Sequence, residues 1–182
     1  MAKIGIFFGT DTGRTRLTAK QIAKKLGEIA AAPVNIGRAT VADFAAHEAL
    51  ILGTPTLGEG DLPGLSTGLG AESWEEFLPR LEGVDLAGKV VAIYGLGDQE
   101  KYPAEFCDAM ALIHDRLLAC GARIVGDWPV KGYSFAASQA VVGDNFVGLA
   151  LDQINQAGLS EERIDTWLAQ VLPELKIASG NQ

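Results

Sequence analysis

The chain has 182 residues, 48% of them hydrophobic and 21% charged, the size and composition of one globular domain with a substantial core. Its net charge of −8 argues against a nucleic-acid partner, whose phosphates would be repelled, and no stretch approaches the ~20 consecutive apolar residues of a membrane span. MAKIGIFFG lacks the apolar region and cleavage site of a signal peptide, and Cys107 and Cys120 fit neither a metal spacing nor a disulfide framework, so a cytoplasmic protein with reduced thiols is expected.

In chain order, Lys3–Phe8 (KIGIFF) reads as a buried strand ending at Gly9, after which Leu17, Ala19, Ile22, Ala23 and Leu26 recur at helical spacing. Val34–Ile36 is a short second strand, followed by a brief helix opened by Thr40. Leu50–Gly53 is the third strand and runs into PTLGEG. Ser73 and Glu76 form a capping box for a helix with Trp74, Phe77, Leu78 and Leu81 inside. Lys89–Tyr94 is the fourth strand. Pro103 suits the first turn of a helix that carries both cysteines, thirteen residues apart, with Phe106, Met110, Ile113 and Leu117 inward and Gly121 closing it.

Arg123–Gly126 opens a fifth strand, and Phe146–Leu151 resumes it. Between them lie about twenty residues, 127–145, without a clear period, longer than the ~12–15 usual for an unstructured loop. Ser160 caps a last helix with Ile164, Trp167, Leu168, Val171, Leu172 and Leu175 inside. Such alternation of strands and helices implies one α/β domain over residues 1–182, with a parallel sheet covered on both faces. Ligands of such sheets bind at the carboxyl ends of strands, near a topological switch point.

The glycine-rich, polar stretches all fall at those ends. GTDTGRT, Gly9–Thr15, has three residues between its glycines and Arg14 in place of Lys, so it is not a Walker loop, and no G-x-G-x-x-G follows the first strand. Thr10, Thr12 and Thr15 at a helix N-terminus suit a terminal phosphomonoester, although an N-cap and turn without a ligand would use the same residues. TPTLGEGDLPG, Thr54–Gly64, combines a mobile backbone with Leu57, which could cover a flat group. In GLGDQEKY, Gly95–Tyr102, the glycines allow close approach and Tyr102 could stack on a ring. A response regulator would need acidic residues after the first and third strands, where Gly9-Thr10 and Thr54-Pro55 stand. His47 and His114 read as surface or packing residues.

Charge is uneven. Residues 56–108 hold eleven carboxylates against Arg80, Lys89 and Lys101, which is the whole imbalance of the chain. The segment is either a solvated surface or a docking face for basic partners.

T-D-T-G-R-T, P-T-L-G-E-G-D-L-P-G and Y-G-L-G-D-Q-E-K-Y resemble, in order and over nearly the whole chain, the three flavin-mononucleotide loops of the flavodoxins. The interrupted last strand is similar to that of the long-chain group, and WEEFLP and FVGLALD-x-x-NQ resemble the flavodoxins of nitrogen-fixing bacteria. The resemblance implies a flavodoxin-like, doubly wound sheet of five parallel strands in the order 2-1-3-4-5. Helices would cover both faces, and the insertion would interrupt the last strand.

The cofactor it implies is FMN, with Thr10, Asp11, Thr12, Gly13, Arg14 and Thr15 holding the phosphate. Leu57 and Tyr102 would flank the isoalloxazine ring, in loops that also bring Thr56, Gly58, Glu59, Gly60 and Leu96. Gly97, Asp98, Glu105 and Cys107 would contact it largely through backbone, and Asp152 would lie near the ribityl chain. Leu57 stands where many long-chain relatives carry Trp, Arg14 where Lys is frequent, and Glu105 where Asn is common.

The implied function is a low-potential one-electron carrier working between the semiquinone and hydroquinone of bound FMN. A flip of the Gly58–Glu59 peptide would stabilise the first state, and Glu59, Asp61, Asp98 and Glu100 would disfavour the anionic second one. The carrier would act as a monomer. Its acceptor would be the iron protein of nitrogenase, and its donor a ferredoxin/flavodoxin reductase or a pyruvate-linked oxidoreductase. The alternative is an FMN-dependent NAD(P)H:acceptor (quinone) reductase.

Overall fold

Apolar runs without alternation need cover on both sides, and the strands take that environment. The computed structural model describes residues 2–181. Gly5–Phe8 (β1) is buried throughout and leads to Arg14–Leu26 (α1). Val34–Asn35 (β2) is shorter than its apolar run, because the Asn35 side chain accepts the Gly37 N–H at 2.9 Å and starts a 3-10 turn at Ile36. Val41–Ala45 (α2) is held by a reciprocal box in which Thr40 and Asp43 bond each other's backbone at 2.9 and 3.0 Å.

Ala49–Pro55 (β3), Trp74–Arg80 (α3) and Val90–Leu96 (β4) follow. At α3 only half of the expected box forms: the Ser73 N–H donates to Glu76 at 2.9 Å, while the Ser73 hydroxyl is buried without a partner. Ala109–Ala119 (α4) begins six residues beyond Pro103. Residues 99–108 turn instead, with Cys107 in the left-handed region at φ 57°. Cys107 therefore precedes the helix and Cys120 caps its end, so the two do not share it; both are free and buried.

Arg123–Val125 (β5) leads into Trp128–Pro129 (β6), Val141–Val142 (β7), Asn145–Phe146 (β8) and Leu149–Leu151 (β9), before Ser160–Ser179 (α5). Ser160 is the first residue of α5, not its cap, and its hydroxyl is buried without a partner.

The main sheet has the order β2-β1-β3-β4-β5, all parallel. β5 pairs with the first half of β4 and β9 with the second, so the two are halves of one interrupted fifth strand. The expected Phe146–Leu151 run divides: Phe146 joins the insertion and Leu149–Leu151 the main sheet. The insertion itself is an antiparallel sheet, β6-β8-β7. It is seated by Phe106, Tyr133, Phe135 and Phe146, whose ring centroids lie 5.1–5.8 Å apart.

Alternate strand residues feed two cores. Phe7, Leu50, Leu52, Val91 and Ile93 pack with α2, α3 and α4 through Phe44, Trp74, Phe77, Met110, Ile113 and Leu117. Ile6, Phe8, Ile51, Ala92 and Tyr94 pack with α1 and α5 through Ile22, Ile164, Trp167 and Val171. Leu17, expected on the inner stripe of α1, is instead 64% exposed. Thr15, Thr18 and Ala19 take the buried face.

Candidate functional site

A cavity of about 300 Å³ opens at the carboxyl ends of β1, β3 and β4, where this strand order places its switch point. Asp11, Thr12, Arg14 and Thr15 line it after β1, and Pro55, Thr56, Leu57 and Gly58 line it at the end of β3. Leu96, Gly97, Asp98, Lys101 and Tyr102 close the β4 side, with Gln153 and Ile154 after β9. The three glycine-rich loops of the sequence thus meet at one place.

The β1 loop is built around Gly13, the N-cap of α1, at φ 92°. Its N–H donates to the Thr10 hydroxyl at 3.0 Å, which turns Thr10 toward its own loop and away from the cavity wall. No side chain caps α1 and no acid stands in its first turn, so the first N–H groups and the positive end of the helix dipole are left for an anion. Gln153 Nε2 donates to Thr18 Oγ1 at 2.9 Å, and Tyr94 Oη donates to the Thr15 carbonyl at 2.9 Å, tying this turn to β9 and β4. Burial pushes the Tyr94 phenol far up, so it stays a neutral donor.

The β3 loop closes on itself. Leu57 N and Asp61 O lie 2.9 Å apart, Asp61 N and Leu57 O 2.7 Å apart, with Gly58 at φ 51° and Gly60 at φ 100°. Gly60 lies against the Asp108 side chain, and Glu59 is exposed at the tip. Thr56 Oγ1 accepts the N–H of Ala109 at 3.2 Å. The start of α4 is therefore capped from the loop after β3, and Asp108 makes no side-chain cap of its own.

Not all of the residues singled out in the sequence reach the cavity wall. Thr10, Gly13, Glu59, Gly60, Glu105, Cys107 and Asp152 do not line it. Cys107 is fully buried, and burial, then the charges of Asp152 and Asp108, push its thiol well up, so it is held as a neutral thiol. Asp152 is also fully buried. It accepts from Gln99 N (3.0 Å), Gln99 Nε2 (2.8 Å), Ile154 N (3.1 Å), Asn155 N (2.9 Å) and Asn155 Nδ2 (2.8 Å).

A carboxylate has about four lone-pair sites, so these donors leave Asp152 none for a ligand hydroxyl. Burial opposes its charge, but the bonds from Asn155 and Gln99 outweigh that, and its pKa lies below the usual 3.8. Asp108 goes the other way: burial holds it above 3.8 despite the Gln139 N–H at 2.7 Å, and Glu105 adds to the rise.

Sequence reading missed Pro55, Lys101, Gln153 and Ile154 on the wall. Lys101 and Gln153 stand next to or inside quoted motifs and could have been found there; Pro55 and Ile154 carry no chemical signal. Of the eleven acids in 56–108, only Asp98 lines the cavity, and Glu59, Asp61 and Glu100 stand in the loops that form its wall. Others serve local structure, as where Glu72 pairs with Arg80 at 2.7 Å and Glu75 accepts the Ser66 N–H at 3.0 Å.

The sequence pattern of one family, described as Flavodoxin, matches residues 6–167. A flavodoxin of Klebsiella pneumoniae is 56% identical over 171 residues, 94% of this chain and 97% of that one. The chain belongs to the flavodoxin family. Flavodoxin 1 of Escherichia coli K12 is 43% identical over 178 residues, covering 97% of each chain. Among solved structures, a Fusobacterium nucleatum flavodoxin bound to flavin mononucleotide superposes with a TM-score of 0.87 at 31% identity, covering 97% of this chain and all of that one. The family resemblance drawn from the three loops and the 2-1-3-4-5 sheet both hold. Among the described residues no helix is long and apolar enough to cross a membrane, and no group of three or more His, Cys, Asp or Glu could hold a metal ion.

Proposed function

We propose that the chain binds FMN in the cavity at the β1, β3 and β4 ends and serves as a low-potential one-electron carrier that supplies nitrogenase reductase. The observation that carries the cofactor reading is the uncapped, acid-free N-terminus of α1 at one wall of a cavity whose other walls hold Leu57 and Tyr102. The residues fit the group. The free N–H groups of the first turn, the Thr12 and Thr15 hydroxyls and Arg14 suit a terminal phosphate. The apolar face of Leu57 and the ring of Tyr102 suit a flat heterocycle.

When bound, FMN supplies one-electron chemistry at its ring. The chain's own residues anchor, cover and tune. Gly58 leaves the 58–59 peptide free to present either its carbonyl or its N–H, at a cost that a residue with a Cβ would raise. Glu59, Asp61, Asp98 and Glu100 keep negative charge at the rim, which disfavours further negative charge inside and makes the reduced site a stronger donor. The family is one of electron-transfer proteins, and an NAD(P)H:acceptor reductase is not the reading its members support.

The resemblance of WEEFLP and FVGLALD-x-x-NQ to the flavodoxins of nitrogen-fixing bacteria supports the iron protein of nitrogenase as acceptor. A ferredoxin/flavodoxin reductase or a pyruvate-linked oxidoreductase would be the donor, docking on the acidic rim. The test is stepwise anaerobic reduction of the purified protein followed by absorption. Two separated one-electron steps, the second at low potential, with oxidation of the product by purified iron protein, are expected. Failure of apoprotein to bind FMN would overturn the cofactor reading, and a reduced protein inert toward the iron protein would overturn the acceptor.

A further inference from the structure

Next to the cavity lies a polar cluster whose two buried members, Gln99 and Asp152, are not on its wall. Gln99 is 4% exposed and Asp152 is 0% exposed. Gln99 donates to Asp152 from its backbone N–H at 3.0 Å and from Nε2 at 2.8 Å. Its Oε1 accepts the backbone N–H of Ser134, in the insertion, at 2.6 Å. Asn155 Nδ2 donates both to Asp152 Oδ2 and to Asp98 Oδ1, each at 2.8 Å. The Gln99 amide and the Asp152 carboxylate thereby join all three segments at one buried point: the loop after β4, the loop after β9, and the insertion. Other bonds join them in pairs, as where the Gly97 N–H donates to the Leu151 carbonyl, the Ala136 N–H to the Pro103 carbonyl and Gln156 Nε2 to the Gly132 carbonyl.

Both of the first two segments supply cavity wall. Gly97, Asp98, Lys101 and Tyr102 surround Gln99 in sequence, and Gln153 and Ile154 follow Asp152. We infer that Gln99 is a positioning residue for the cofactor cavity: its side chain holds the β4 loop against Asp152 and makes the insertion part of that loop's support. The inference rests on this cavity being the FMN site. It assigns the insertion a role inside the molecule, as the surface that fills Gln99's remaining acceptor. A buried carboxylate whose donors are removed keeps its charge at a cost, so the two loops would separate or admit water when the amide is lost.

The amide is chemically specific because it offers a donor to Asp152 and an acceptor to Ser134 at once. Leucine offers neither. A carboxyl in the same place would meet Asp152 with like charge unless it held a proton, and with that proton it could again donate.

The experiment titrates FMN into apoprotein, following quenching of flavin fluorescence, for wild type, Gln99→Leu, Gln99→Glu, Asn155→Ala and the control Asn145→Ala, whose bond to Asp127 joins two residues that do not line the cavity. Expected are a Kd roughly ten- to a hundredfold weaker for Gln99→Leu, the scale of a lost hydrogen bond to a charged group, a smaller loss for Asn155→Ala, and none for Asn145→Ala. For Gln99→Glu the ratio of its Kd to that of wild type should be large at pH 8 and shrink steadily toward pH 5. Gln99→Leu binding within twofold of wild type, or a Gln99→Glu ratio flat with pH, would overturn the positioning role. If Gln99→Leu lacks the near-ultraviolet dichroism of folded protein, Asn155→Ala decides, and unchanged binding there counts against the role. A wild-type protein that takes up no FMN refutes the cofactor reading itself, an outcome distinct from either.

Discussion

At Gly58 the backbone stands at φ 51°, a region that costs a side-chain-bearing residue of order 1–3 kcal/mol and a β-branched one most. Little else forbids a side chain: a Cβ there would meet only Asp61 Oδ2, at 3.2 Å. Backbone conformation, not space, is therefore what glycine provides at this position. Among the described residues neither the Gly58 carbonyl nor the Glu59 N–H has a backbone partner, so the 58–59 peptide is not pinned by the hydrogen bonds that close the loop between Leu57 and Asp61. Gly58→Val is expected to lose about 1–3 kcal/mol in urea unfolding of the FMN-free protein, and to bring the two reduction steps of the loaded protein closer in potential. A variant with the strain but with unchanged separation of the steps would mean that the peptide does not tune the site.

At the scale of elements, the insertion shows how much a short, non-local structure can conceal. Its strands are two residues each, and Phe146 at its centre is fully buried against Phe106, Tyr133 and Phe135. Phe146→Ala should cost about 3–5 kcal/mol and raise amide exchange through 128–146 before the main sheet opens, readable by hydrogen exchange with mass spectrometry. Uniform exchange across both sheets would instead make the insertion inseparable from the core.

The sequence made the main strands legible because a parallel sheet covered on both faces demands continuous apolar runs. It also made three of the site's loops legible, because glycines and hydroxyls gather at strand ends. It did not reveal the start of α4, since the cap on Ala109 is Thr56, fifty-three residues away, and the local signal at Pro103 pointed to the wrong turn. Leu17 misled for a related reason: its spacing fits an inner stripe, yet Thr15 and Thr18 are the residues that face inward, toward the cavity end and β9. Gln99 was invisible because its partners, Asp152 and Ser134, are distant in sequence and only the fold joins them.

For the whole molecule, the eleven acids of residues 56–108, which carry the −8 imbalance, include two sets with different surroundings. Glu75, Glu76 and Asp85 accept backbone N–H groups at 2.9–3.3 Å, Glu72 pairs with Arg80, and Asp108 is buried. These shape loops and helix starts. Glu59, Asp61 and Glu100 are exposed beside the cavity, with Asp98 on its wall and Lys101 as the local counter-charge.

The second group stands where a basic partner would have to dock to reach the cavity, and steering of this kind speeds encounter by about 10- to 1,000-fold at low salt. Stopped-flow rates of electron transfer to a basic redox partner should therefore fall steadily, by about tenfold or more, as ionic strength rises from ~0.01 M to ~0.5 M, where the Debye length shrinks from about 30 Å to a few ångströms. Replacing Glu59, Asp61 and Glu100 together by their amides should flatten that slope. The same change at three carboxylates away from the cavity, Glu75, Glu82 and Asp85, should leave it nearly intact, whereas a contribution from net charge alone would not depend on which three were removed. Equal slopes for the two variants would mean that the acidic segment acts through overall charge and not through a docking face at the cavity mouth.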